Sequence, residues 1–257
     1  MRNLTFLVLS AAAVLFTVSV NAQTKEKKGI VYSSSFGVGG QIYSNGWSGH
    51  LELSKFQGLH KRNFYQFEIA QLKQQKEVRQ TNDYGFSIVG INPPRPYVYG
   101  KQNNFYQVNI SRGQERMIGQ RAAKSGVEVS VKYMAGFSLG VLKPYYLQLL
   151  IPQDQDRYRL EEHKYSDAVH NSFLDWYLIY GSAGFSKGLD EPKLVPGAHL
   201  KAGLKFDWAF YDEYIKALEV GGVLDVYPNR VPIMVTEKNQ RVFPNFYVGI
   251  QFGKKKA

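Results

Sequence analysis

The segment Phe243 to Gly253, FPNFYVGIQFG, alternates almost without error. Phe246, Val248, Ile250 and Phe252 fall on one face; Asn245, Tyr247, Gly249 and Gln251 fall on the other. A period of two residues is the signature of a β-strand with a single apolar side. Seven earlier segments repeat the pattern, so the fold has to find an apolar environment for eight one-sided strands.

The first segment, about Ser35 to Tyr43, sets Phe36, Val38 and Ile42 against Gly37, Gly39 and Gln41. The second, about Ser48 to Phe56, sets Leu51 and Leu53 against His50, Glu52 and Ser54, and the third, about Asn63 to Lys73, sets Tyr65, Phe67 and Ile69 against Gln66, Glu68 and Ala70. The fourth, about Asn104 to Arg112, sets Tyr106, Val108 and Ile110 against Gln107, Asn109 and Ser111. The fifth runs unbroken from Val127 to Val141, with Glu128, Ser130, Lys132, Gly136, Ser138 and Gly140 on its polar face. The sixth, Ala198 to Phe210, has His199, Lys201, Gly203, Lys205 and Asp207 on its polar face; the seventh, Tyr214 to Tyr227, has Ala217, Glu219, Gly221 and Asp225. Glycines on that face would relieve crowding inside a narrow closed sheet.

Ahead of the strands, Arg2, an apolar run from Leu4 to Val20 and the small-residue site Val20-Asn21-Ala22 form an export signal. Cleavage is expected after Ala22, leaving residues 23–257 as one domain. A retained membrane helix is the competing reading of the same run. No other stretch approaches the roughly 18 consecutive apolar residues that a spanning helix needs. The chain has no cysteine, which excludes disulfides, a lipoprotein anchor and cysteine chemistry.

An exported chain with eight one-sided strands is expected to be an all-β, closed, antiparallel transmembrane β-barrel in a bacterial outer membrane. Its 18 tyrosines and 16 phenylalanines suit interfacial girdles. With the first strand rising from the periplasm, the outer connections fall at 44–47, 74–102, 143–196 and 227–242, and the periplasmic ones at 57–62, 113–126 and 211–213. Three long outer connections and two short inner ones fit such a barrel. The proline-rich stretch Asn92 to Gly100 is expected to be stiff and to project. In the third outer connection Ser166 is expected to cap a helix to about Tyr180. An alternative makes Phe173 to Phe185 an extra strand, implying ten strands, and a secreted β-sandwich is the competing non-membrane fold.

Four segments carry a resemblance: NFYQVNISRGQE (Asn104 to Glu115), GVEVSVKYMAGFSLGVLKPYYL (Gly126 to Leu147), VPGAHLKAGLKFDWA (Val195 to Ala209) and the terminal FYVGIQFGKKK. Together they resemble a group of mostly uncharacterised outer-membrane β-barrel proteins of Bacteroidota-type bacteria. The resemblance implies fold and location, and by analogy a role as an accessory subunit of an outer-membrane assembly or secretion machine. Many such barrels end on an aromatic residue, whereas Phe252 is followed here by Gly253, Lys254, Lys255, Lys256 and Ala257. The resemblance makes Phe252 the insertion-signal aromatic; the three lysines, at the inner leaflet or in the periplasm, are expected to be a solvated charged end.

An eight-stranded barrel is only wide enough for its own side chains. His50, Glu52, Glu68, Glu128, Lys132, His199, Lys201, Lys205, Asp207, Glu219 and Asp225 are therefore expected to fill the lumen as a structural charge network. That filling argues against the other role open to a small barrel, a passive channel. A lipid hydrolase would rest on His170-Asn171-Ser172 with Asp167 or Asp175, which resembles a lipid A deacylase pair at two positions only. Asp154, Asp156, Glu161, Glu162 and His163 lack a calcium-loop spacing, and Gly37, Gly39 and Gly40 lack the helix and lysine of a phosphate loop. No cofactor, metal or enzymatic activity is expected. The net charge of +11, or +10 without Arg2, meets no nucleic-acid motif. The expected partners are outer-membrane lipid, the phosphates of lipopolysaccharide and another outer-membrane protein.

Overall fold

Alternation of this kind leaves each strand with backbone donors and acceptors on both edges, and the chain satisfies all of them by closing on itself. The computed structural model describes residues 32–58, 60–81, 93–121, 126–154 and 157–256. The expected signal, residues 1–22, lies outside them. Eight strands form the barrel: β1 (Ser34–Tyr43), β2 (Gly46–Phe56), β3 (Lys61–Leu72), β6 (Asn103–Gly119), β7 (Glu128–Pro144), β11 (Lys193–Asp207), β12 (Tyr214–Val226) and β13 (Val242–Lys256). The intervening β4 (Arg79–Gln80), β5 (Tyr97–Val98), β8 (Tyr146–Asp154), β9 (Arg157–Lys164) and β10 (Ile179–Ser182) lie outside it. Every barrel pairing is antiparallel, and β13 closes on β1 from Ser34↔Lys256 to Tyr43↔Tyr247. Among the described residues there is no ninth or tenth barrel strand: within the Phe173 to Phe185 stretch, Ile179–Ser182 is a strand but pairs with β8 outside the barrel.

The register fixes the geometry of the tube. Followed from Ser34 through Lys55, Asn63, Gln114, Tyr133, Ala202, Gly222 and Phe246, the paired positions come back at Ser44, just past the end of β1 and ten residues beyond their start. A stagger of this size goes with strands tilted about 35–45° and an interior that side chains fill.

Two close approaches show why glycine faces inward. A Cβ on Gly39 would lie 2.4 Å from the His50 ring, and one on Gly221 would lie 2.2 Å from the Ala202 carbonyl and 2.6 Å from the Gly203 Cα. Gly203 and Gly221 sit directly opposite each other and leave the room that the Tyr247 ring occupies.

The strands run further than the alternation alone suggested. β6 continues to Gly119, shortening the expected 113–126 connection, because Gly113 and Glu115 keep the inward parity of Asn109 and Ser111. β13 carries the three lysines to Lys256; the expected solvated tail is strand, with Lys254 and Lys256 facing out and Lys255 turned inward.

The larger differences lie in the connections at the end away from the termini. β8, β9 and β10 make a three-stranded sheet in the order β10-β8-β9, and β4 pairs with β5. Tyr97, Leu147, Leu149, Phe173 and Ile179 form a small core between these pieces. The proline-rich stretch does not project: Tyr97 is fully buried. The helix expected from Ser166 does not form. Ser166 makes no side-chain cap, and only α1 (His170–Phe173) is α-helical, between 3-10 turns at Asp167–Val169 and Trp176–Leu178. The Asp175 carboxylate accepts a hydrogen bond from the Tyr177 amide at 3.0 Å and opens a new turn, a local bond that competes with helix continuation.

Replacing Gly221 by Val should cost about 1–3 kcal/mol, the range for overpacking, measured by denaturant unfolding of the folded, heat-shifted gel band. Gly222→Ala, whose Cβ would meet nothing closer than 3.9 Å, should leave the transition where it is.

Candidate functional site

The lumen is filled from end to end by a stack of charged groups, each delivered by strand parity. Nearest the termini, Arg62 pairs with Glu115, and Lys205 lies 3.6 Å from the same carboxylate while donating to Gln251 at 2.5 Å. Above them Lys132 bridges Glu52 at 2.5 Å and Glu219 at 2.8 Å, with its ammonium 4.8 Å from the centre of the Phe64 ring. Gln41 donates to the second Glu219 oxygen at 3.3 Å. One layer further, Lys201 pairs with Glu68 at 2.9 Å, donates to Gln41, and sits 4.5 Å from the Tyr247 ring centre. Tyr43 and Gln66 complete the Glu68 carboxylate. Near the far end His199 Nδ1 meets Asp225 at 2.7 Å.

The remaining expected lumen residues lie at the margins of this stack. Asp207 accepts hydrogen bonds from the amides of Ala209 at 3.0 Å and Lys216 at 3.2 Å, with Arg121 at 3.9 Å. Glu128 points inward at the mouth beside the termini and is half-buried. The His50 imidazole lies against Gly39, and neither of its nitrogens has a hydrogen-bond partner among the described residues. Phe252 faces outward and is half-exposed.

Arg62, Glu115 and Arg121 belong to the network although the sequence reading assigned them to connections. Parity could have found the first two: Arg62 is in phase with Phe64 and Gln66, and Glu115 with Ser111 and Gly113. Nothing comparable marks Arg121, which lies beyond the end of β6 and donates to the Ala209 carbonyl. Buried ions without partners are costly, and here Arg62, Lys132, Lys201 and Lys205 each lie within ion-pair distance of a carboxylate.

A second seal lies over the end away from the termini. Phe105, Tyr227 and Phe243 meet with ring centroids 5.5–5.9 Å apart, and the Tyr227 hydroxyl accepts from Gln107 at 2.7 Å beside Ser138. The connection after β12 folds down onto these rings and buries Val231, Ile233 and Met234. It is tied by Gln102 N to Ile233 O at 2.8 Å, Val235 N to Gly100 O at 2.8 Å and Asn103 Nδ2 to Pro232 O at 2.7 Å. The Asn239 side chain accepts from the Ile233 and Met234 amides at 3.0 and 3.3 Å. Lys101 at the rim pairs with Glu77 at 2.5 Å; burial pushes its ammonium below the usual lysine range, and the Glu77 carboxylate opposes that.

The other candidate constellations do not come together. His170 and Ser172 are two apart in a single helical turn, so their side chains point to different faces, and His170 Nδ1 is 3.0 Å from the Tyr165 hydroxyl. Asp175 is engaged with Tyr177. In the charged run, Glu161 meets His163 at 3.0 Å and Arg159 at 3.5 Å, and Glu162 meets Lys187 at 2.8 Å. Asp156 lies outside the described residues.

The outer wall of the barrel is the opposite of its interior. Large apolar side chains stand exposed on all eight strands, among them Ile42, Leu53, Phe67, Ile110, Phe137, Leu200, Val220 and Phe246. Trp47 lies towards the capped end and Trp208 at the end of the termini.

No protein-family model and no curated protein matches this chain. Solved structures with similar strand arrangements include Ail, the attachment invasion locus protein of Yersinia pestis, at 9% identity and a TM-score of 0.39, covering 88% of this chain and 99% of that one. Neisserial surface protein A is similar at 7% identity and a TM-score of 0.39, covering 86% and 95%. The N-terminal β-barrel domain of Pseudomonas aeruginosa OprF is similar at 8% identity and a TM-score of 0.36, covering 87% and 97%. The barrel assignment itself rests on the closed, hydrogen-bonded strand order described above.

Lys132→Met leaves Glu52 and Glu219 buried without their shared cation and should lower stability by about 3–5 kcal/mol in denaturant titration. Adding Glu52→Gln and Glu219→Gln should recover most of that loss. An unaltered midpoint for Lys132→Met would show that the bridge does not brace the barrel.

Proposed function

We propose that the chain is an integral protein of a bacterial outer membrane whose lumen acts as a brace, and which works through the structure at its capped end as a structural or accessory interaction protein. The observation that carries this reading is the inversion of the wall: apolar side chains out, charged pairs in. Water cannot solvate such a wall favourably, whereas a bilayer can, and a closed sheet leaves no backbone edge in the lipid. The end bearing the termini then faces the periplasm, and the capped end with β4–β5 and β8–β10 faces outward. The expected signal at residues 1–22 supports the same route.

The cap and the charge stack both oppose a channel, and the separation of His170 from Ser172 gives a hydrolase no dyad. What remains available for function is the outer structure, which has a core of its own and exposes Tyr158, Phe185 and Leu189. This suits contact with another outer-membrane protein, as in an assembly or secretion complex, and its surroundings are lipid and lipopolysaccharide. Phe252, near the end of the closing strand, serves in this reading as the aromatic of the insertion signal.

Mild-detergent purification of a tagged chain from outer membranes should give a band that shifts on boiling, together with a stoichiometric partner. A heat-shifted band without a partner would overturn the accessory role, and absence of a shift would overturn the membrane barrel. Planar bilayers should show no steady discrete conductance; its appearance would reinstate the channel.

A further inference from the structure

The barrel sorts its charges by sign. Every acidic residue on the eight strands faces the lumen: Glu52, Glu68, Glu115, Glu128, Asp207, Glu219 and Asp225. The outward charges of the half that carries the termini are all cations, and four of them gather on β2, β3 and β6.

The register places these four around one patch. Lys55 lies opposite Asn63, which lies opposite Gln114; Lys61 opposite Arg116 flanks that row on one side, and Tyr65 opposite Arg112 on the other. Lys55, Arg112 and Arg116 are exposed and Lys61 is half-buried, and none of the four forms an ion pair among the described residues. Gln114 Oε1 accepts from the Tyr133 hydroxyl at 2.7 Å, which leaves its amide nitrogen to donate. A recess in the wall between Asn63, Arg112, Gln114 and Tyr133 opens beside these groups.

Arg112 is the informative member. It stands two outward positions closer to the apolar belt than Arg116, next to Ile110 and Phe67, where an isolated guanidinium is costly in lipid. The Tyr65 ring, 5.7 Å away, offsets part of that cost. A phosphate drawn to the edge of the belt would offset more. On the β7 and β11 side the corresponding outward positions are Val129, Val131, Leu204 and Phe206, which offer no charge.

We infer that the β2–β3–β6 patch binds the phosphate headgroup of an anionic phospholipid in the periplasmic leaflet, with its acyl chains against Leu53, Phe67 and Ile110. Charge complementarity selects the anion, and the position of the patch at the lower border of the apolar belt selects a lipid. The inference rests on the membrane-spanning reading above.

The test uses the full chain inserted into vesicles, then extracted with mild detergent and weighed by native mass spectrometry. From equimolar phosphatidylglycerol and phosphatidylcholine, the protein should retain phosphatidylglycerol by at least about fivefold. Arg112→Gln with Arg116→Gln should bring retention near parity, while Lys216→Gln with Lys254→Gln, on the far side, should preserve the preference. Boiled and unboiled gel lanes report that each variant is folded. Equal retention by the wild-type chain, or an unchanged preference in the Arg112/Arg116 variant, overturns the inference alone. Co-purification of an acidic polypeptide that those two substitutions release also overturns it, in favour of a protein contact. Failure to insert into vesicles of either lipid overturns the membrane reading, and this inference with it.

Discussion

The pairing of β13 with β1 is the interaction on which the rest of this molecule depends. Without it the sheet has two unpaired edges, and each one-sided strand has no reason to keep its polar face hidden. With it, and with the ten-residue stagger of the register, the interior shrinks to the width of its own side chains. The inward glycines follow from that width: Gly39, Gly203 and Gly221 yield space to His50 and Tyr247, so that long residues can cross the axis.

A narrow interior lined by alternate positions of eight strands has to be polar somewhere, since period-two alternation spends the apolar residues on the outside. The consequence is a stack of ions that must be neutralised by neighbours across the lumen. Lys132 joins β7 to β2 and β12, Lys201 joins β11 to β3, and Glu115 on β6 receives Arg62 and Lys205 from β3 and β11. Apart from Arg62–Glu115, which lie opposite each other on paired strands, these cross-braces link strands that are not hydrogen-bonded neighbours, which the ladder alone cannot do. The cost of burying them is offset only while every member is present.

The barrel was legible because its strands are amphipathic and long, and the lumen because parity carries side chains inward without regard to their chemistry. Arg62 and Glu115 are harder to see because the outward positions beside them, Lys61, Asn63, Gln114 and Arg116, are polar, so the apolar alternation gives out before the strands do. The outer structure was hidden for a different reason. β9 reads as a charged run, since Arg157, Arg159, Glu161 and His163 alternate with Tyr158, Leu160 and Glu162, and its place in a sheet is set by β8 rather than by its own apolar content. The segment after Ser166 has helical spacing, yet the Asp175 turn and the burial of Phe173 and Ile179 against β8 decide its path. Tertiary packing overrode local propensity there, as it commonly does for short segments.

Closing on the final strand has a temporal meaning. The first and last strands pair from Ser34↔Lys256 onward, so the ladder that seals the tube joins residues more than two hundred positions apart in the chain, as Ser33 and Lys256 beside it show at a separation of 223. Contacts of such range form late and slowly. Without Val242–Lys256 in place, β1 and β12 are open edges, and the lumen ions lack Gln251 and Tyr247 as neighbours. Open edges of this kind invite edge-to-edge association, and the same pairing that removes them brings Gln251 and Tyr247 to Lys205 and Lys201, so closure of the sheet and completion of the lumen are one event.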